Sequence, residues 1–214
     1  MLRVWSEVVH TPTEMRTPPT AALTPGEVTA VLRAAGEGRH GVRDRAMLLT
    51  LYHHGLRVSE LCRLTLPDLN LEARTLWVER LNRGHAGFHP VPEDEARALA
   101  AYLEERRSDG TIHLPPLVLN ERRGTLTRNA VYYLVRRAGE GAGLARPLYP
   151  HLLRRSAGSN LVGEGHDVRL VQDYLGLRTA RSVLRFAGES SPGSPSAERF
   201  SALVHTLGGE AGGG

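Results

Sequence analysis

The sequence predicts a mainly α-helical fold with one small antiparallel β-sheet, an α+β arrangement within a single domain. Two observations predict it. Apolar residues recur at three- and four-residue spacing along most of the chain, behind recognisable helix starts. Only between about residues 75 and 91 does the pattern change to short strand-like runs with glycines at the reversal.

Taken in order, residues 1–22 carry Pro12, Pro18 and Pro19 among several threonines and read as an irregular arm. Thr24-Pro25-Gly26-Glu27 is a helix start: a Thr N-cap, Pro at the first helical position and Glu three residues after the cap. Val28, Val31, Leu32 and Ala35 supply its apolar stripe. A second helix runs through Arg45–Tyr52 and stops near Gly55. A third begins around Ser59-Glu60 and carries Leu61, Cys62 and Leu64. Thr75–Glu79 is a strand, Phe88–Val91 its partner, and Gly84 and Gly87 lie in the turn. Pro92-Glu93-Asp94-Glu95 opens a helix with Ala96, Leu99, Ala100 and Leu103 on its apolar side. Thr127 caps a helix bearing Val131, Leu134, Val135 and Ala138. Residues 151–163 and 168–175 form two more helices. Residues 190–214 hold a Ser/Pro/Gly-rich linker, a short amphipathic helix through Phe200, Leu203, Val204 and Leu207, and a glycine tail. The domain proper spans 23–189.

Charge and composition narrow the functional classes. Apolar residues make up 41% of the chain, enough for a real core. No apolar run is long enough to span a bilayer, so no membrane role is expected. The first residues lack the pattern of a secretion signal, and the single Cys62 can form no internal disulfide, so a reducing, cytoplasmic setting is expected. All 27 cationic residues are arginine, which a GC-rich genome also produces; the guanidinium fork matches phosphate oxygens. Between Glu121 and Arg155 the formal charge is +6, more than the +4 of the whole chain, a concentration that points to nucleic acid. His53, His54, His85, His89 and His113 form no metal-binding spacing, and His53-His54 before a glycine turn are expected to be exposed.

Two stretches carry chemistry. One is Gly55-Leu56-Arg57-Val58-Ser59-Glu60-Leu61; the other is His151-Leu152-Leu153-Arg154. Separated by a strand pair, and followed by Gly165–Gly176, they resemble the catalytic domain of the tyrosine recombinases, the phage integrase family. The likeness extends from about Leu23 to Phe186. It implies that Arg57, His151 and Arg154 contact a scissile DNA phosphate, that Glu60 is structural, and that neither metal nor cofactor is needed. The partner it implies is double-stranded DNA, and the location the nucleoid.

The departures from the family pattern are equally specific. The family's general-acid lysine, in the turn between the second and third strands, falls at Arg83, and the chain has no lysine at all. With a pKa above about 12, arginine gives up a proton poorly. The family's His or Trp after the helix-ending glycine is Leu177. Its tyrosine nucleophile falls at Phe186, and the last tyrosine in the chain is Tyr174. The groups that hold phosphate remain, while the nucleophile, the acid and an auxiliary donor are replaced. Few residues precede Leu23, so the family's separate DNA-clamping domain is expected to be missing and the grip one-sided.

Three readings stay open on sequence alone. One is a DNA-binding member that does not cut; a decaying gene fragment would leave the same matches. The others are an active recombinase with an unorthodox nucleophile, and an interaction partner of an intact recombinase, or of a second copy, through the C-terminal helix.

Overall fold

The capping box expected at Thr24 is made. Glu27 N donates to Thr24 Oγ1 at 3.2 Å and Thr24 N donates to Glu27 Oε2 at 2.8 Å. In this computed structural model, which describes residues 22–81 and 86–177, that box starts α1 (Pro25–Gly36). Val28, Val31, Leu32 and Ala35 are its buried face. The N-terminal arm, Arg83, Phe186, the linker and the terminal helix lie outside the described residues.

α2 (Gly41–His53) is the central helix. Ala46 through Leu51 are all buried, so it has no polar face along that stretch, as a helix surrounded by others must be. It packs against α1, against α4 (Glu93–Ser108) and against α6 (Pro150–Gly163). α3 (Val58–Leu61) is a single turn; Leu64, expected within it, lies beyond its end and is buried in the core.

The sheet has three strands in the order β1 (Leu69–Asn70), β2 (Thr75–Val78) and β3 (Gly87–Pro90), all antiparallel. β1 was not legible because two residues carry no period. Leu76 and Val78 face the core with His89. Trp77 and Phe88 are paired across the outer face, ring centroids 4.8 Å apart.

α4 differs from expectation in phase. Its buried side includes Ala96, Leu99 and Leu103 but also Glu95, Tyr102 and Arg106, whereas Ala100 is exposed. Arg106 donates to the carbonyls of Thr111, Leu114, Pro116 and Leu117 and so ties down the loop that follows. α5 (Arg128–Gly141) is capped as expected, Ala130 N donating to Thr127 Oγ1 at 3.2 Å. α7 (Val168–Leu175) is capped by Asp167 and ends in left-handed Gly176. No described helix is long and apolar enough to cross a membrane.

Candidate nucleic-acid interface

Arg57, His151, Arg154 and Leu177 come from three separate parts of the chain and line one cleft of about 280 Å³. Arg57 sits just before α3, His151 and Arg154 lie one turn apart on α6, and Leu177 follows the end of α7. Pro150 at the start of α6 fixes the helical φ where its missing N–H costs nothing.

The arginines are organised around a buried carboxylate. Glu60, 2% exposed, accepts from Arg57 Nη1 at 2.7 Å, from the Arg57 backbone N–H at 2.8 Å and from Arg80 Nη1 at 2.9 Å. Leu81 N also donates to it at 3.2 Å, and Arg154 Nη1 lies 3.8 Å away. Burial pushes the Glu60 carboxyl up, but the Arg57 backbone N–H, Arg80, the Arg57 side chain and Arg154 together hold it below the usual range. Three guanidiniums share one carboxylate, an excess of positive charge, and two of them, Arg57 and Arg154, line the cleft. Burial, then Arg57 and Arg80, pulls Arg154 down to about 9, still a cation at neutral pH.

The end of α7 completes the arrangement. Arg80 donates to the carbonyl of Tyr174, Arg154 to that of Leu175, and Arg57 to that of Gly176 at 3.1 Å. Arg154 also donates to the carbonyl of Gly55. These backbone elements approach closely because of glycine. Gly55 has φ +50°, and a Cβ there would lie 2.3 Å from Leu175 Cδ2. Partial burial, then Arg154, Arg155 and Arg57, holds the exposed His151 below the ordinary imidazole range, so it faces the cleft as a neutral ring.

Other sequence expectations fare unevenly. The basic segment is not one free face: Arg154 is buried, Arg136 pairs with Glu140, and Arg137 with Asp44, while Arg122, Arg123 and Arg128 are exposed. His54 is fully buried rather than exposed, its Nε2 3.1 Å from Glu95 Oε1. His53 is partly buried, 3.2 Å from Asp94. The cause is α4, whose first turn brings two carboxylates onto the end of α2. Tyr174 lines a different pocket, with Tyr52, Pro90, Asn160 and His166.

Sequence reasoning missed Tyr132 and counted Arg128 only within the basic segment; the two line the arginine cleft one helical turn apart on α5. Their spacing on the polar face of a capped helix was available as a signal. Arg80 was missed too. Continuing the strand alternation from Leu76 and Val78 puts residue 80 on the core side, where an arginine demands a buried acid.

A mostly helical scaffold that brings two arginines and a histidine to one cleft beside the end of a helix is the catalytic-domain architecture of the tyrosine recombinases. Residues 21–189 match the phage integrase family, and the chain belongs to it. Type 1 fimbriae regulatory protein FimB of Escherichia coli (strain K12) is 34% identical over 169 residues, 79% of this chain and 84% of FimB. The fold is similar to that of XerA recombinase, with a TM-score of 0.71 at 23% identity over 95% of this chain and 68% of the other. It is also similar to XerH site-specific recombinase bound to a palindromic difH substrate, with a TM-score of 0.67 at 21% identity over 88% of this chain and 54% of the other.

Proposed function

We propose that this protein binds duplex DNA at the Arg57–His151–Arg154 cleft without cutting it. One observation carries the reading. The phosphate-holding groups are assembled in one cleft, while the chain has no lysine and no tyrosine after Tyr174. Arg57, Arg154 and Arg128 supply positive charge for a backbone phosphate, and His151 supplies a ring N–H. Arg83 adds a phosphate contact but no acid, the side chain of Leu177 offers no hydrogen bond, and that of Phe186 has no oxygen with which to attack. The likeness to a recombinase solved on its DNA substrate supports the same class of partner. The protein then acts in the cytoplasm, at the nucleoid, as a regulator or competitor at recombination sites.

Fluorescence anisotropy with a labelled duplex tests this. Affinity should fall steeply with salt, and Arg57→Ala and Arg128→Ala should each flatten the salt slope by about one unit. Unchanged slopes in both variants would refute the site. Residues 190–214 carry the proposed contact with a second copy or an intact recombinase. Sedimentation of the full chain against one ending at Ser190 tests it, and two identical monomers would end it.

The alternative, cleavage through an unorthodox nucleophile, has one observation in its favour. Tyr132 is the tyrosine that lines the cleft among the described residues. A covalent adduct on a nicked suicide substrate, lost in Tyr132→Phe, would establish it. Tyr174 is a poor candidate because its hydroxyl donates to the His53 carbonyl at 3.0 Å, outside the cleft.

A further inference from the structure

Three successive carbonyls at the end of α7, those of Tyr174, Leu175 and Gly176, each accept from a different arginine: Arg80, Arg154 and Arg57. These are the last carbonyls of a helix, which have no partner within it and carry its negative end. Wherever that end goes, the guanidiniums follow. What fixes it on the other side is the Tyr174 side chain. Its hydroxyl donates to the carbonyl of His53, at the end of α2, and lies 3.4 Å from Nδ1 of the buried His54. Its ring packs on that of His89 on β3, centroids 4.2 Å apart. His54 is held in turn by Glu95 on α4.

We infer that Tyr174 is a positioning residue for the arginine cleft: by pinning the carbonyl end of α7 to α2, it sets where Arg57 and Arg154 present their donors. The inference rests on the proposed phosphate site for its consequence in binding, and on the hydrogen-bond chain alone for its structural content. The phenol lines a different pocket from the arginine cleft. It acts through its own backbone and the two residues that follow. The left-handed Gly176, with φ 59° and ψ 47°, makes the reach possible, since a Cβ there would sit 3.1 Å from Arg80 Cδ and Cγ. Arg57 is the guanidinium best placed to change with it, because its side chain is 27% exposed whereas that of Arg80 is fully enclosed.

The test compares Tyr174→Phe with Val171→Ala. The first removes one oxygen atom. The second weakens the buried face of the same helix without touching the pinned end. Two readouts are taken on folded protein of the full chain: the arginine side-chain ¹⁵N–¹H spectrum and anisotropy with a duplex. Tyr174→Phe should shift or broaden the guanidinium signals of Arg57, Arg80 and Arg154. It should weaken duplex binding about three- to tenfold, the scale of one hydrogen bond, at an unchanged salt slope. Val171→Ala should lower the melting temperature while leaving both readouts as in the wild type. Gly176→Ala, which strains the same carbonyl end directly, should reproduce the Tyr174→Phe pattern and serves as the second variant should the first not fold. Unaltered guanidinium signals in Tyr174→Phe, or an equal change in Val171→Ala, would overturn the inference. If the wild type binds no duplex, or Arg57→Ala binds as tightly as wild type, it is the phosphate site that fails. The guanidinium spectra then decide the positioning role by themselves.

Discussion

Removing the carboxylate of Glu60 should be among the most damaging single changes in the protein. Its two oxygens take four hydrogen bonds, from Arg57 twice, Arg80 and Leu81, and its side chain is 1% exposed. The Arg80 side chain is fully enclosed. Glu60→Ala therefore leaves a buried guanidinium with its acid gone, which costs about 3–5 kcal/mol. Against a total stability of about 5–15 kcal/mol, that is a large share. With a urea m-value of about 2 kcal/mol/M, the unfolding midpoint should fall by about 2 M. Circular dichroism during urea titration reads it directly. Glu60→Leu combined with Arg80→Met removes both charges and should be less destabilised than Glu60→Ala alone. A loss below about 1 kcal/mol in the single variant, or additivity in the double, would refute the idea that one carboxylate organises the arginines. The pH dependence follows with a definite sign. The Glu60 carboxyl is held below its ordinary range in the fold. Its contribution is complete above the unfolded value, about pH 4, and is lost as pH falls through the folded value. The urea midpoint should drop on acidification more steeply in the wild type than in Glu60→Gln.

Gly55→Ala must adopt φ +50° and place a Cβ 2.3 Å from Leu175 Cδ2, so thermal denaturation should show a loss of about 2 kcal/mol or more. Because His151 is held below the ordinary imidazole range, its ring gains charge only as pH falls below about 6.5, and duplex affinity should rise there rather than nearer neutrality. Anisotropy of His151→Gln should show a flattened profile, and an identical one would remove His151 from the phosphate site. Phe186→Tyr alone should give at most a trace of covalent adduct, since losing a general acid costs about 100- to 10,000-fold. Adding Arg83→Lys and Leu177→His should then restore cleavage on a normal duplex, and efficient adduct formation by Phe186→Tyr alone would contradict this account.

The helices were legible because their signals are local. Thr24 and Thr127 cap as their spacing requires, and α7 spans the expected residues. The grouping of Arg57, His151 and Arg154 was legible through resemblance alone, because no local rule brings together residues almost 100 positions apart. The phase of α4 was misjudged for a physical reason. Glu95 and Arg106 are charged yet buried, each satisfied by a distant partner: His54 for the first, loop carbonyls for the second. A polar residue on the core side breaks an apolar stripe without leaving the core. The same holds for His54, whose burial depends on an acid 41 residues away.

These contacts bear on what the retained residues mean. Arg57 and Arg154 are proposed phosphate contacts, and each also supports the fold, through Glu60 and the carbonyls of α7. A substitution at either residue therefore changes the seat of the last described helix as well as the cleft. His151 and Arg128 are different. Both are exposed and line the cleft, His151 as a neutral ring among arginines, and neither side chain joins the network around Glu60. These are the side chains whose loss should change duplex affinity while leaving the unfolding midpoint alone. The same dissection applies to the proposed loss of cleavage. Replacing Phe186, Arg83 and Leu177 tests the reaction, replacing Glu60 and Gly55 tests the scaffold, and only His151 and Arg128 isolate the grip on phosphate between them.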